Sequence, residues 1–99
     1  MNKTSEQLAA ELEQALKDTK AADVRTYDVR GKSGFTDFFV VATGAAAPHL
    51  KALVKALPKA YRVSGDPDSG WIVSDYVDVV VHVFSAEARA YYALEKLWE

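Results

Sequence analysis

The pattern of hydrophobic and polar positions predicts three helices in this chain. Thr4 and Gln7 have the spacing of a capping box and start the first, which we expect to end within residues 17–20. The second follows Gly44, with Pro48 at a favoured first position, and the third follows the N-cap Ser85. Apolar residues recur there at helical spacing: Leu8, Leu12, Ala15 and Leu16; Leu50, Leu53, Val54 and Leu57; Tyr91, Leu94 and Trp98.

Five runs rich in β-branched and aromatic residues predict strands between these helices. They occupy residues 24–30, 37–43, 61–64, 72–74 and 79–84. A glycine-containing turn at residues 31–34 joins the first two runs as a hairpin, and the second run is almost continuously apolar, as in a strand covered on both faces. The order helix, two strands, helix, three strands, helix predicts an α/β or α+β fold, with a single mixed sheet of about five strands flanked by three helices.

The last two strands are predicted to form an antiparallel hairpin with Tyr76 and Val77 as its turn. This register gives three facing pairs on one face: Asp75 with Asp78, Val73 with Val80, and Trp71 with His82. The other face is almost wholly apolar and holds Ile72, Ser74, Val79, Val81 and Val83. Because facing acids repel each other, the pair suggests that a cation or a partner's Lys or Arg relieves them. Tyr-Val suits a type I′ turn poorly, since both positions need positive φ.

Length and composition indicate one globular domain that spans residues 1–99. Hydrophobic residues make up 49% and charged residues 26%, which is usual for a domain with one core. The absence of cysteine excludes disulfides and thiolate metal sites. No apolar run approaches the roughly 20 residues of a membrane span, and the first residues lack the apolar region of a signal peptide. We therefore expect a cytoplasmic protein.

Charge is distributed unevenly along the chain. Residues 64–88 hold five acids and no Lys or Arg, whereas the other residues hold 12 bases and nine acids. Such asymmetry steers a protein towards a basic partner. Lys51, Lys55 and Lys59 are spaced i, i+4, i+8, and a solvated helix face is favoured here over an RNA- or phosphate-binding stripe. A pI near 5.6 also argues against general nucleic-acid binding.

Common enzyme motifs are absent from the sequence. It contains no G-x-G-x-x-G, Walker A, H-E-x-x-H or G-x-S-x-G motif, and nothing indicates a cofactor. His49 and His82 are isolated, and for His82, within a valine-rich strand, a structural or interface role is favoured over catalysis. Asp75 and Asp78 leave open a metal or acid/base dyad, although a hard cation normally takes more than two oxygen ligands.

Three stretches resemble the Iojap family, the bacterial ribosomal silencing factors: VRTYDVRGKSGFTDFFVVATG, GWIVSDYVDVVVHVF and EARAYYALEKLW. The likeness extends from about Leu8 to Trp98. Two patterns are specific, namely D-V-R-G-K-S before T-D-F-F-V-V-A-T-G, and Trp before S-D-Y-x-D, V-H-x-F and A-R-x-Y-Y-x-L-E-x-L-W. Two departures stand out. Val77 replaces the glycine of the family's D-Y-G-D, and residues 45–48 are Ala-Ala-Ala-Pro where the family usually has Ser or Thr and a polar residue.

The resemblance implies a nucleotidyltransferase-like α/β fold without known catalysis. It implies a translation repressor that binds the large ribosomal subunit through the fourteenth protein of that subunit and blocks association with the small subunit in starvation. Family members often form dimers, so a homodimer is a further expectation. The resemblance assigns partner contact to the residues of the W…DYGD…H pattern: Trp71, Asp75, Tyr76, Asp78 and His82. The last-helix pattern is matched by Arg89, Tyr91, Tyr92 and Glu95, for which packing is the alternative role.

Two other functions stay open at this point. One is a magnesium-dependent nucleotidyltransferase-like enzyme that uses Asp75 and Asp78, and the other is a plain dimerisation domain. Such a transferase needs a Gly-Ser turn and two acids on the following strand, whereas Gly44 precedes three alanines and the next acid is Asp66. We expect a non-enzymatic binding module with Trp71 partly exposed beside a Gly/Ser/Asp loop, without membrane association or sequence-specific nucleic-acid binding.

Overall fold

The computed structural model describes residues 3–97, and its elements follow the predicted order. The helices are α1 (Ser5–Asp18), α2 (Ala47–Ala56) and α3 (Ala86–Tyr92). The strands are β1 (Ala22–Asp28), β2 (Phe38–Gly44), β3 (Arg62–Asp66), β4 (Trp71–Asp75) and β5 (Val79–Ser85). Short 3-10 helices occupy Pro67–Ser69 and Leu94–Leu97. The predicted place of Trp98 on the last helix lies outside the described residues.

The five strands form one mixed sheet in the order β1-β2-β5-β4-β3. The β2–β5 pair is parallel and the other neighbouring pairs are antiparallel. The predicted mixed sheet and the β1–β2 hairpin are therefore confirmed. The capping box is confirmed as well, because Gln7 N–H donates to Thr4 Oγ1 and the Gln7 side chain accepts from the Thr4 backbone.

One face of the sheet carries the main core, beneath α1 and α2. Leu12 and Leu16 of α1 and Leu50 and Leu53 of α2 are fully buried. They pack on inward-facing residues of the three central strands: Val40, Ala42, Ile72, Val79, Val81 and Val83. Gly44 permits this packing, because a Cβ at this position would come within 2.6 Å of Leu50 Cδ2. The apolar face predicted for the last hairpin is thus confirmed as the core face.

The second face of the sheet is covered only in part. Ala88 of α3 packs there on Val41 and Phe84. Side chains that alternate away from α1 and α2 continue across the central strands, and we call this surface the open face: Phe39, Trp71, Val73, Asp75, Val80, His82 and Phe84. Five of these seven are only partly buried.

The register of the β4–β5 hairpin differs from the prediction. Asp75 pairs with Val80 and Trp71 with Phe84, because the two turn residues are Val77 and Asp78. All three predicted pairs, Asp75–Asp78, Val73–Val80 and Trp71–His82, are therefore wrong, and Val73 pairs with His82. The turn is displaced by one residue, so each residue of β4 pairs with a β5 residue two positions further along the chain than predicted. A shift of two positions leaves the remaining side chains on their predicted faces. The like-charge pair that suggested a bound cation does not form.

Local and long-range hydrogen bonds set the position of the hairpin turn. Asp78 N–H donates to the Tyr76 carbonyl at 2.9 Å, and Val77 between them has φ of 72°. This is a γ-turn of the rare form with positive φ. Asp75 Oδ1 accepts the Val77 N–H at 2.8 Å, and the Asp78 carbonyl accepts N–H groups of Asp37 and Phe38. Side-chain and long-range bonds thus hold a turn that contains no glycine.

The last helix is also shorter than its apolar pattern predicts. It ends at Tyr92, and Ala93 has φ of 47°, which turns the chain into the final 3-10 helix. Tyr91 is 82% exposed and does not belong to a buried line with Leu94, which is partly buried. That part of the prediction is wrong, because it assumed that α3 continues past Tyr92.

Candidate partner-binding face

Trp71 is the centre of an aromatic cluster on the open face. Its ring stacks on Phe84 with centroids 5.1 Å apart and contacts Tyr92 at 4.6 Å. It begins β4 directly after Gly70, where φ is 83° and an added Cβ would come within 2.6 Å of Ser85 Oγ. Gly70 thus lies against the start of α3, and the indole that follows it packs against Tyr92 at the end of that helix. The ring is partly buried, which agrees with the predicted partial exposure.

A hydrogen bond to His82 orients the indole of Trp71. The Trp71 Nε1–H donates to His82 Nδ1 at 3.1 Å, so the neutral imidazole carries its proton on Nε2. The ring is 7% exposed, and burial lowers the pKa of His82 to about 4. Nε2 has no hydrogen-bond partner among residues 3–97. His82 thus stays neutral at physiological pH and orients Trp71, which fits a structural role behind the surface.

Asp75 and Asp78 lie at the opposite end of β4 from Trp71. Asp75 is four steps along the strand from Trp71, which corresponds to about 13 Å. Asp75 is partly buried and lies across from Arg62 of β3, while Asp78 is exposed in the turn. The two acids therefore lie near one end of β4, and the aromatic cluster lies at the other end.

Tyr76 does not share the face of Trp71. Its side chain packs against the main core, and its hydroxyl donates to the carbonyl of Pro58 just after α2. Burial raises the pKa of the phenol to about 12, and the nearby Glu11 adds to this. Tyr76 thus ties the hairpin end to the end of α2, and its contact with a partner stays a prediction.

A buried ionic network fixes the chain after α3. Arg89 donates from Nε and Nη2 to the two carboxylate oxygens of Glu95, at 2.7 and 2.9 Å. Its Nη1 donates to the Asp23 carbonyl at 2.7 Å and to Thr43 Oγ1 at 2.8 Å. Tyr27 OH also donates to Glu95. The Arg89 hydrogen bonds hold the pKa of Glu95 below its usual value.

This network decides between the two roles considered for Arg89 and Glu95. Both residues make internal contacts, which is the packing alternative. Sequence reasoning missed Asp23, Tyr27 and Thr43, because they reach Arg89 or Glu95 from distant strands. The backbone at Asp23 is irregular, with φ of 48° beside a break in the β1–β2 register. No pattern in the sequence predicts this irregularity.

The cleft beside α3 offers little to a ligand. Its polar lining comes mainly from the same network, together with Arg25 and Lys96. Four of the five N–H donors of Arg89 are already engaged by protein acceptors. Across residues 3–97, no three or more His, Asp or Glu side chains are grouped to hold a metal ion. No helix in the described part is long and apolar enough to cross a membrane.

Comparison with protein families shows which family the chain belongs to. Residues 2–99 match the family described as "Ribosomal silencing factor during starvation". The chain belongs to this family. The sequence resemblance to ribosomal silencing factors and the predicted fold class are therefore confirmed.

Individual relatives agree with this assignment to the ribosomal silencing factors. The chain is 37% identical over 92 residues to "Ribosomal silencing factor RsfS" of Halalkalibacterium halodurans, which covers 85% of the chain and 79% of the relative. It is 31% identical over 94 residues to mouse "Mitochondrial assembly of ribosomal large subunit protein 1", covering 84% of the chain and 41% of that protein. A crystal structure of a Chromobacterium violaceum protein superposes with a TM-score of 0.86 at 28% identity, over 97% of the chain and 87% of that protein.

Proposed function

We propose that this protein is a non-enzymatic silencing factor of cytoplasmic ribosomes. It binds the large subunit through the fourteenth protein of that subunit and blocks association with the small subunit, which represses translation in starvation. The observation that carries the proposal is the open face, where a partly exposed tryptophan is held rigidly on a sheet surface that α3 covers at one end only.

The cluster around Trp71 has the properties of a binding anchor. Contacts with Phe84 and Tyr92 and the bond to His82 fix the indole before any partner arrives. Preorganisation lowers the entropy cost of binding, and tryptophan is among the residues most enriched in binding hot spots. We expect the indole to enter an apolar recess of the partner.

The charges near the face favour a basic partner. Asp66 pairs with Trp71 across β3 and β4, and Asp75 and Asp78 lie at the other end. Their carboxylates belong to the segment 64–88, which has no Lys or Arg. Ribosomal proteins are generally basic, so complementary charge would increase the association rate. The mouse relative is named for the assembly of the ribosomal large subunit, which supports the large subunit as the partner.

The proposed mechanism is steric and requires no chemistry. The Cα atoms span 34 × 29 × 21 Å, and a rigid body of this size on the joining surface of the large subunit keeps the small subunit away. The geometry gives less support to the enzymatic alternative, because Asp75 and Asp78 do not face each other and Asp75 Oδ1 accepts the Val77 N–H. One copy of the domain is sufficient for this mechanism, and the homodimer stays a prediction.

Subunit joining in a sucrose gradient tests the proposal. Purified large and small subunits are mixed in magnesium buffer with and without an excess of the protein. We expect the joined-ribosome peak to fall and the protein to sediment with large subunits. The Trp71→Ala variant is the matched control and should have less effect. An undiminished joined peak, with the wild-type protein in excess, would contradict the silencing role.

A further inference from the structure

One stretch of the chain carries unbalanced positive charge. Residues 38–65 contain no Asp or Glu but contain four basic residues, which we call the basic strip: Lys51, Lys55, Lys59 and Arg62. All four are exposed. None forms an ion pair with another residue of the range 3–97, whereas Lys3, Lys17, Arg25, Arg30 and Arg89 all do.

The position of α2 shows where the basic strip faces. His49 Nε2 bonds to the Thr19 carbonyl at 2.8 Å, so this side of α2 lies towards the end of α1. At about 100° per residue, Lys51 and Lys55 lie on the opposite side of the helix. On that side α2 packs against β4 and the 3-10 helix Pro67–Ser69. The two lysines therefore lie towards the β3 edge of the sheet.

The basic strip and the open face meet at this edge. From Lys59 the chain runs into β3, where Arg62 pairs with Asp75 and so points to the open-face side of the sheet. All five residues of β3 are exposed, and within the described chain its one neighbour is β4. A partner surface that covers Trp71 and wraps around β3 would touch both regions at once.

We propose that the basic strip binds backbone phosphates of ribosomal RNA next to the protein docked on the open face. This inference rests on the proposed binding to the large subunit. Lysine is a mobile point charge that suits phosphate oxygens without reading base identity. No acidic residue lies within residues 38–65, and none of the three lysines forms an ion pair with another residue of the range 3–97, so their ammonium groups are available to phosphate oxygens. The phosphates of RNA suit these lysines, and contact with an acidic protein is the alternative that the experiments below distinguish.

Salt dependence of binding provides the first test. The variant Lys51→Gln/Lys55→Gln/Lys59→Gln is compared with the matched variant Lys3→Gln/Lys17→Gln/Lys32→Gln, which removes the same charge elsewhere. Affinity for isolated large subunits is measured at several KCl concentrations, and thermal melts check folding. Each lost phosphate contact should reduce the slope of log K against log salt by roughly 0.7–0.9, so the slope should fall by about two to three for the first variant and by almost nothing for the matched variant.

Directed cleavage identifies the contacted molecule. Because the chain has no cysteine, Ala52→Cys creates a single attachment point for an iron chelate beside Lys51 and Lys55, and Ala10→Cys on α1 is the control. We expect hydroxyl radicals from position 52 to cut ribosomal RNA at a few nearby nucleotides in the bound complex. Cleavage of a neighbouring acidic ribosomal protein without RNA cleavage would overturn the inference.

The outcomes separate this inference from the proposed function. Equal salt slopes for wild type and both triple variants, with wild-type binding intact, would overturn RNA contact by the basic strip and leave the docking of Trp71 standing. No binding of the wild type to large subunits would overturn both. A reduced slope for the first variant together with RNA cleavage from position 52 would support both.

Discussion

The indole of Trp71 is hydrogen-bonded to His82, although the two residues are not cross-strand partners. Trp71 pairs with Phe84, and His82 pairs with Val73, so the 3.1 Å bond from Nε1 to Nδ1 runs diagonally across the hairpin. A buried imidazole therefore determines the orientation of a partly exposed ring. The anchor proposed for the open face depends on this relationship, and the first two predictions test its two members.

Replacing Trp71 should affect binding more than folding. Trp71→Ala is expected to weaken binding to the large subunit by about 2 kcal/mol or more, as for a hot-spot anchor. Because the ring is partly exposed, its removal should lower the free energy of unfolding by less than the roughly 3–5 kcal/mol expected for a fully buried tryptophan. Co-sedimentation titrations and urea unfolding measure the two losses. If the melt collapses while the folded fraction retains its affinity, Trp71 belongs to the core.

His82 should make stability depend on pH in a defined window. Its pKa is about 4 in the folded protein and about 6.5 when unfolded. Between these values the unfolded chain binds a proton that the folded chain does not, so the free energy of unfolding falls as pH drops from about 6.5 to 4. The loss is up to about 3 kcal/mol. Carboxylates with lowered pKa, such as Glu95, contribute at lower pH, below about 4.5.

The variant His82→Gln isolates this effect. Glutamine still offers an acceptor to the Trp71 Nε1–H but does not titrate. Urea unfolding between about pH 7 and pH 4.5 should show a smaller pH dependence for the variant than for the wild type. The same slope in both proteins would show that another group controls stability in this window.

Val77 should be replaceable by glycine with a gain in stability. Its φ of 72° costs a β-branched residue roughly 1–2 kcal/mol, and the added chain entropy of glycine offsets about 0.5–1 kcal/mol. Val77→Gly should therefore raise the free energy of unfolding by up to about 1 kcal/mol. Val63→Gly is a matched control, because both valines are 53% exposed and Val63 has no positive φ. It should destabilise β3, and a similar loss at both sites would contradict strain at Val77.

The Arg89–Glu95 pair should behave as a coupled unit. Their side chains are 10% and 15% exposed, so removing one partner leaves a largely buried charge. Arg89→Met alone should cost about 3–5 kcal/mol, and Arg89→Met/Glu95→Leu should recover part of that loss. A double-mutant cycle with urea unfolding measures the coupling energy. Strictly additive losses would mean that the network does not hold the Leu94–Leu97 segment in place.

The sequence predicted features that depend on neighbouring residues and missed those that depend on distant ones. The capping box of Thr4 and Gln7 and the alternating faces of β5 follow from local spacing, and both are confirmed. The hairpin register was missed because the carbonyl of Asp78 is held by N–H groups of Asp37 and Phe38, about 40 positions away in the chain. The end of α3 was missed because Arg89 and Glu95 are six residues apart, a spacing that places them on one face only if the helix stops.

The partner-binding residues were predicted from resemblance, and their arrangement required the structure. Trp71, Asp75 and His82 share the open face, whereas Tyr76 points to the core and Asp78 lies in the turn. Alternation along a strand predicts the first group. How much of this face remains uncovered depends on where α3 ends, and the sequence pattern placed that end too late.

The two acids of the hairpin provide a test of charge steering. Because Asp75 and Asp78 do not face each other, their neutralisation is not expected to stabilise the domain by relieving repulsion. In Asp75→Asn the amide oxygen still accepts the Val77 N–H, and the Asp78 side chain is exposed. The double variant Asp75→Asn/Asp78→Asn should therefore unfold within about 0.5 kcal/mol of the wild type. Its association with large subunits should be slower, and the difference should shrink with salt, because the screening length is only about 8 Å at 0.15 M.

Association rates at low and moderate salt measure this effect, with Glu6→Gln/Asp18→Asn on α1 as a control of equal charge. Magnesium supplies a second comparison. If the acids bound Mg²⁺, the ion would raise the melting temperature of the wild type and not of the Asp75/Asp78 variant, by mass action. We expect no such difference, since Asp75 bonds within the turn and the two carboxylates do not form a pair. Equal association rates for wild type and variant at both salt concentrations would remove Asp75 and Asp78 from the docking surface.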